Sequence, residues 1–243
     1  MKAVILAAGV ASRLRPLTDS TPKCLLKVGT KSILERTIDN LIMNNVSEVI
    51  VVTGYLKEMV ESFLTEKYPE INFKFIFNSK YNTTNNIYSL WLAKREILGY
   101  DMLLLDSDIV FDGRIVSLLI NSGKENVLAL RKTDNLGEEE IKCALSEKGF
   151  IKEISKTVNI TDAVGESIGI ELFSDKLVYN LFTILDRKIL DEKQVDIFYE
   201  AAFQEAINSG AEIYPIKVGN YKCMEIDTPD DFEKAAELVE SMG

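Results

Sequence analysis

Short apolar runs alternate along the first 130 residues with segments in which apolar side chains recur at helical spacing. The runs have the length of strands and lie at residues 3–6, 48–53, 73–77, 102–105 and 126–130. Helical spacing follows Ser32 and recurs over residues 56–64 and 87–97. Strands that alternate with helices are typical of a mostly parallel sheet with helices on both faces. The pattern therefore predicts a Rossmann-like α/β fold.

The pattern changes in the second part of the chain. Residues 141–173 contain short strand-like pieces between glycines, which predicts a small β-containing insertion. The remaining predicted elements are helices at 175–186 and 196–208, a strand at 212–218 and a last helix near Pro229. Because no linker or repeat interrupts the chain, we expect residues 1–243 to form a single domain with a mixed, mostly parallel sheet.

The composition excludes several classes of function. Lys and Arg total 28 and Asp and Glu total 38, so the formal charge is −10, which argues against a nucleic-acid partner. There is no histidine, which removes histidine-based nucleophilic triads and general bases. A metal ion would have to be held by oxygen ligands, and this favours Mg²⁺.

The cysteines and the N-terminal apolar run indicate the cellular compartment in which the protein is expected. Cys24, Cys143 and Cys223 are far apart and have no metal-binding spacing, as expected for reduced cysteines in the cytoplasm. The apolar run at residues 3–8 is too short for a membrane span. We therefore expect a cytoplasmic protein without membrane insertion.

Small residues and two cations follow the first predicted strand. In an open parallel sheet, ligands bind beyond the carboxyl ends of the strands. Here Arg13 offers a planar fork for phosphate oxygens, and Lys23 follows Pro22 on a turn. Backbone N–H groups can approach a phosphate or a base at Leu6, Ala7, Ala8 and Gly9. The alternative is an ordinary strand-to-helix turn with solvated charges.

Carboxylates follow the fourth strand and recur near the end of the chain. Asp106 and Asp108 follow residues 102–105, on the expected ligand side of the sheet. Glu225 and Asp227 share one face of a short strand because strand side chains alternate. Together they predict a site for a hard cation, whereas taken singly they are also typical of helix caps.

Together these segments resemble the nucleotidyltransferase family of the nucleoside-diphosphate-sugar pyrophosphorylase type. The residues that carry the resemblance are 2–9, 12–14, 16–18, 22–23, 108 and 225–229. Within that family the chain is most similar to the CTP:phosphocholine cytidylyltransferase group, through residues 85–90 and 198–200. One departure is Ala11, where the family pattern has glycine, and this could tighten the path of the triphosphate.

The resemblance implies a fold, a reaction and roles for residues. The fold is that of nucleotide-diphospho-sugar transferases, with a nucleotide-binding half at 1–130 and an acceptor-binding half at 131–243. An acceptor phosphate or phosphonate would attack the α-phosphorus of CTP and release pyrophosphate, and no general base is needed because the acceptor oxygen is already anionic. The implied catalytic residues are Lys23 and Arg13 on the phosphates, with Asp108 and Asp227 as Mg²⁺ ligands. Nucleotide contacts are implied for Leu6, Ala7, Ala8, Gly9, Asn85, Asn86 and Ser89.

The acceptor site is expected to recognise an ammonium group. Tyr199 and Glu225 match positions that the choline relative uses, but the segment where that relative has a tryptophan is here Glu138 to Glu140. Carboxylates such as Glu140 suit a primary ammonium, which donates three hydrogen bonds, better than trimethylammonium, which donates none. Hence 2-aminoethylphosphonate and phosphoethanolamine compete with phosphocholine as acceptors. The alternative for residues 138–140 is a solvated acidic loop with no role in binding. The alternative for Tyr199 is an aromatic side chain packed in the core.

Other functions remain open from the sequence. A sugar-1-phosphate nucleotidyltransferase is the alternative within the same class. A glycosyltransferase would use Asp106 and Asp108 but would leave Arg13 and Lys23 without a triphosphate. A nucleotide-sensing regulatory subunit is the alternative that is not an enzyme. The acceptor and the oligomeric state do not follow from the sequence, which is compatible with a homodimer.

Overall fold

The computed structural model describes residues 1–133 and 136–241. The strands in chain order are β1 Lys2–Ala7, β2 Lys27–Val28, β3 Lys31–Ser32, β4 Glu48–Thr53, β5 Asn72–Phe77, β6 Met102–Asp106, β7 Ile109–Phe111, β8 Val127–Arg131, β9 Lys142–Leu145, β10 Ile151–Ser155, β11 Ala163–Phe173, β12 Tyr214–Lys217 and β13 Cys223–Glu225. The α-helices are α1 Ile33–Met43, α2 Lys57–Lys67, α3 Asn86–Leu92, α4 Lys94–Ile97, α5 Arg114–Ile120, α6 Asp175–Asp186, α7 Glu200–Asn208 and α8 Pro229–Glu240.

The central sheet is mixed and mostly parallel. Strands β5, β4, β1 and β6 lie side by side and run in parallel. Strand β11 pairs antiparallel with β6 and with β8, and β12 continues in parallel from β8. The first part of β11 also pairs with β9, to which β10 is antiparallel. The two halves of the chain therefore share one sheet, and the predicted fold class is confirmed.

Helices cover both faces of the sheet because its central strands are apolar on both sides. Val4 and Leu6 of β1 belong to a core with α3, α4, α6 and α7, whereas Ala3 and Ile5 belong to a core with α1, α2 and α5. A third, smaller cluster joins α8 to β2. Among the described residues, no helix combines the length and the apolar character needed to cross a membrane.

Several elements differ from the prediction. The region 87–97 forms two helices that meet at Ala93, and the predicted helix at 196–208 begins only at Glu200. Only short strands were expected before residue 173, but β11 is a strand of 11 residues. It continues through Gly165 and Gly169, both of which have positive φ. Helix α5 and strand β7 were not predicted. The strand β7 has only three residues and pairs with β13 outside the main sheet, so it lacks a periodic signal of its own.

Candidate active site

A cavity of about 740 Å³ opens beyond the carboxyl ends of β1 and β6. Its wall includes every residue predicted for the site except Tyr199. The predicted residues that line it are Leu6, Ala7, Ala8, Gly9, Arg13, Lys23, Asn85, Asn86, Ser89, Asp108, Glu140, Glu225 and Asp227. Residues from the loop after β1 and from β13 thus face one space, at the place expected for ligands of an open α/β sheet.

An ion-pair network centred on Lys23 lies in this cavity. The Lys23 Nζ donates to Asp108 Oδ2 at 2.8 Å and to Asp227 Oδ1 at 2.7 Å. The Arg13 Nη2 donates to the other oxygen of Asp227, at 2.7 Å. Burial disfavours the charge on Lys23, but Asp108 and Asp227 outweigh it and raise the Lys23 pKa. Burial likewise acts against the Asp227 carboxylate, yet Lys23 and Arg13 lower its pKa, so Lys23 and Asp227 are both ionised at neutral pH.

Three carboxylates converge beside Lys23. One oxygen each of Asp108, Glu225 and Asp227 lies within 4.8 Å of the others. The Asp108 Oδ1 is buried without a hydrogen-bond partner among the described residues. Burial, together with the charges of Asp108 and Asp227, raises the pKa of Glu225 to about 8. This concentration of hard oxygen donors, with one oxygen unsatisfied, fits a divalent cation such as Mg²⁺.

The pairing of β7 with β13 brings the two predicted metal ligands together. Glu225 is paired with Ile109 in this ladder, and the Ile226 N–H donates to the Asp108 carbonyl at 3.0 Å. Asp227 then precedes the capping box of α8, in which the Thr228 hydroxyl accepts from the Asp231 N–H. Backbone pairing therefore sets the distance between the carboxylates of residues 108 and 227.

Hydrogen bonds from Tyr55, which follows β4, hold the loop after β1 in place. The Tyr55 N–H donates to the Ala8 carbonyl at 3.2 Å, and the Tyr55 hydroxyl donates to the carbonyls of Thr18 and Asp19. Ala11 has φ of 50°, in the left-handed region that favours glycine. This gives a physical reason for the glycine of the family pattern at this position.

The predicted base-recognition residues also hold neighbouring segments in place. The Asn85 Oδ1 accepts from the Asn86 N–H at the start of α3, and the Asn86 Oδ1 accepts from the Tyr199 N–H at 2.9 Å. The Asn78 Nδ2 donates to the Ser89 hydroxyl at 3.1 Å. The side-chain oxygens of both Asn85 and Asn86 are thus already engaged, while these residues still line the cavity.

The prediction that Tyr199 contacts the acceptor is wrong for this structure. The side chain is fully buried, its ring lies 5.0 Å from that of Phe203, and its hydroxyl donates to Asp106 Oδ2 at 2.9 Å. Tyr199 belongs to the apolar face that Ala202, Phe203 and Ala206 continue along α7. That helical spacing is the sequence signal that could have identified it as a core residue.

Next to Tyr199 in the chain, Phe198 does lie on the cavity wall. It is 42 % exposed, and the Lys156 Nζ lies 4.6 Å from the centre of its ring. The same ammonium pairs with Glu139 at 2.8 Å. The Phe198 ring therefore already has an ammonium group, that of Lys156, over its face.

Acidic side chains dominate this end of the cavity. Arg131 pairs with the buried Glu166 at 2.6 Å, a pair that the sequence analysis missed. Glu140 lines the cavity as predicted, and its Oε2 accepts from the Gly137 N–H at 2.8 Å. Glu200, also missed, lines the cavity as the first residue of α7. The cavity wall thus contains four cationic side chains, those of Arg13, Lys23, Arg131 and Lys156, and more than twice as many carboxyl groups.

Comparisons with known proteins identify the family of the chain. The model of the nucleotidyl transferase family matches residues 2–134. The chain is 31 % identical to the CTP:phosphoglutamine cytidylyltransferase of Campylobacter jejuni over 245 residues, covering 93 % of each chain. It is 28 % identical to the choline-phosphate cytidylyltransferase of Streptococcus pneumoniae over 244 residues, covering 99 % of each. A solved CTP:phosphocholine cytidylyltransferase from Streptococcus pneumoniae superposes with a TM-score of 0.83 at 26 % identity, covering 98 % of each chain.

A sheet of this kind, with a basic loop after β1 and paired carboxylates after β6 and β13, defines a nucleotide-binding transferase of the α/β class. The chain belongs to the nucleotidyl transferase family. The resemblance inferred from its motifs is confirmed.

Proposed function

We propose that this protein transfers CMP from CTP to a small acceptor and releases pyrophosphate. The acceptor carries a phosphate or phosphonate at one end and a primary ammonium at the other. The observation that carries the proposal is the network in which Lys23 bridges Asp108 and Asp227, with Arg13 on the second aspartate. The cytidylyltransferase relatives from Campylobacter jejuni and Streptococcus pneumoniae support CTP as the donor.

The reaction needs positioning and charge neutralisation. An acceptor oxygen forms a bond to the α-phosphorus of CTP while the bond from that phosphorus to the bridging oxygen of the β-phosphate breaks. The acceptor oxygen is anionic at neutral pH, so no proton has to be removed. Lys23 neutralises charge on the α-phosphate and Arg13 binds the outer phosphates. The loop at residues 7–9 presents backbone groups to the nucleoside.

Asp108 and Asp227 would hold Mg²⁺, with Glu225 beside them. When bound, the ion supplies positive charge to the phosphates. Two observations support a cation at this place: the three carboxylates converge, and the buried Oδ1 of Asp108 has no hydrogen-bond partner among the described residues. Glu225 is thus assigned to the cation site as well as to the acceptor side predicted from the sequence.

The excess of carboxyl groups in the cavity wall favours an ammonium-bearing acceptor. The phosphate end of such a molecule would meet Lys23, and its amine end would meet the wall formed by Phe198 and the acidic residues around it. The hydroxyl groups of a sugar phosphate can donate hydrogen bonds to carboxylates, but they carry no positive charge to balance the excess of carboxyl groups.

The test is pyrophosphate release, measured for each nucleoside triphosphate with each of several acceptors in the presence of Mg²⁺. We expect release with CTP and 2-aminoethylphosphonate or phosphoethanolamine, and much slower release with glucose-1-phosphate. Faster release with the sugar phosphate would overturn the proposed acceptor class. No release with any pair would overturn the proposed activity.

A further inference from the structure

Glu200 is a buried carboxyl group in the cavity wall, and one of its oxygens has no hydrogen-bond partner among the described residues. Glu200 is 7 % exposed, lines the cavity, and has an Oε2 atom that no donor in the described part of the chain reaches. A buried polar atom without a partner costs free energy. Because Glu200 lines the cavity, a rotation of its carboxyl group would present this oxygen to a donor that arrives with the ligand.

The other acidic side chains nearby are already engaged. Glu166 pairs with Arg131, Glu139 pairs with Lys156, and Glu140 accepts from a backbone N–H of its own loop. Glu200 therefore differs from these three in having a buried oxygen still free to accept a hydrogen bond.

The groups around Glu200 make it a site for a cation. Asp106 at the end of β6, Glu171 on β11 and the Tyr199 hydroxyl interact with it electrostatically, and none of them carries positive charge. The Glu171 Oε1 accepts from the Ser167 hydroxyl at 3.1 Å, while its Oε2 is also unpartnered. Lys156 is the cation that acts on Glu200, but its ammonium is held by Glu139.

Burial raises the pKa of Glu200 to about 7, although its own backbone N–H and Lys156 lower it. A cationic donor at Oε2 would favour the ionised form. A ligand with a formal charge and N–H groups therefore suits this carboxyl group better than a neutral one.

We propose that Glu200 is a specificity residue, which accepts a hydrogen bond from the primary ammonium of the acceptor. This inference rests on the proposed function. A primary ammonium supplies three donors, so it can satisfy Oε2, whereas a trimethylammonium supplies none and leaves that oxygen unpaired. Phe198, two residues earlier, offers the apolar wall against which the acceptor's carbon chain would lie.

The variant Glu200→Gln tests this assignment because it keeps the shape and removes the charge. The probes are 2-aminoethylphosphonate, its analogue ethylphosphonate, which lacks the amine, and phosphocholine. We expect the wild-type protein to prefer the aminophosphonate to both. The variant should lose about 10- to 100-fold in kcat/KM for the aminophosphonate. The values for ethylphosphonate and the KM for CTP should change less than about twofold.

The matched control is Glu147→Gln, the same change in the exposed turn between β9 and β10. It should leave all of these constants unchanged. An equal loss for ethylphosphonate and the aminophosphonate in Glu200→Gln would overturn the inference and leave the proposed function standing. Failure of the wild-type protein to use any amine acceptor would instead overturn the proposed function.

A second variant keeps the inference testable if Glu200→Gln does not fold. Glu200→Asp retains the charge but withdraws the carboxylate by one methylene. We expect it to shift the preference from 2-aminoethylphosphonate towards the longer 3-aminopropylphosphonate, at least threefold in the ratio of kcat/KM. An unchanged ratio would contradict a direct contact between Glu200 and the amine.

Discussion

At the scale of single residues, the charge of the cavity is arranged around Lys23. Its side chain is only 12 % exposed, and its ammonium bridges carboxylates from distant parts of the chain. All four charged groups in this network, Arg13, Lys23, Asp108 and Asp227, are those that the sequence motifs indicate. Each of these residues lies in a short motif, so it could be found from the sequence. The ion pairs between them join distant parts of the chain and depend on the fold.

The first prediction concerns the proposed metal ligands. Asp108→Asn and Asp227→Asn should each lower turnover by about 10²- to 10³-fold, because each keeps the size of the side chain and removes charge that faces the phosphates. The measurement is kcat at saturating Mg²⁺, with Asp162→Asn in an exposed turn as the control. If either site variant kept near-normal turnover, the substituted residue would not be a ligand of the metal ion.

The second prediction separates two neighbouring aromatic residues. Phe198→Ala should raise the KM of an amine acceptor about two- to thirtyfold, since a cation on a ring contributes ~0.5–2 kcal/mol. Tyr199→Phe should instead lower the free energy of unfolding by about 0.5–1.5 kcal/mol, because it removes the donor to the half-buried Asp106. The measurements are the KM for the acceptor and the free energy of unfolding in urea, each determined for both variants. The reverse assignment of the two effects would restore Tyr199 to the acceptor site.

At the scale of elements, the sequence could predict what depends on local signals. The capping box of Ser32 and Glu35 starts α1 as expected, and α8 begins at Pro229. The pairing of β7 with β13 could not be predicted, because the two short strands are far apart along the chain. The start of α7 at Glu200 was also missed, and with it the direction of the side chains at 198 and 199.

The third prediction concerns the contact between β4 and the loop after β1. A Cβ atom at Gly54 would lie 2.8 Å from the Ala8 Cα and closer still to the Ala8 carbonyl oxygen. Gly54→Ala should therefore displace the nucleotide loop and raise the KM for CTP severalfold, with a loss of about 1–3 kcal/mol of stability. Steady-state kinetics and thermal unfolding measure the two effects.

Gly210→Ala is the control for Gly54→Ala. Gly210 has φ of 97° and open space around it, so alanine there is strained without touching the site. It should lower stability and leave the KM for CTP unchanged. If both variants raised this KM equally, the effect of Gly54→Ala would be general destabilisation rather than displacement of the loop.

At the scale of the whole molecule, the net charge of −10 is reflected in the cavity, where carboxyl groups outnumber the cationic side chains. This excess would favour an acceptor that carries a cationic group. The overall charge was readable from the sequence, but the excess in the cavity was not, because Glu166 and Glu200 come from elements that only the fold brings together.

The fourth prediction is a dependence of stability on pH. The pKa of Glu200, about 7, is raised by burial above its value in the unfolded chain, so the native state binds the proton more tightly. The contribution of this group to stability is therefore present at pH 5 and is lost as the pH rises through about 7. Urea unfolding from pH 5 to pH 8 should show a smaller decline for Glu200→Gln than for the wild-type protein. Identical declines would mean that Glu200 is ionised throughout.

The central claim is that the protein joins CMP to an ammonium-bearing phosphate or phosphonate. The most direct measurement is ³¹P NMR of one mixture that contains the enzyme, CTP, Mg²⁺ and equal amounts of 2-aminoethylphosphonate, phosphocholine and glucose-1-phosphate. Because the acceptors compete, the product ratio reports their relative kcat/KM. We expect pyrophosphate and the CMP–aminoethylphosphonate conjugate as the main products. A CDP-sugar as the main product, or no conjugate at all, would contradict the account.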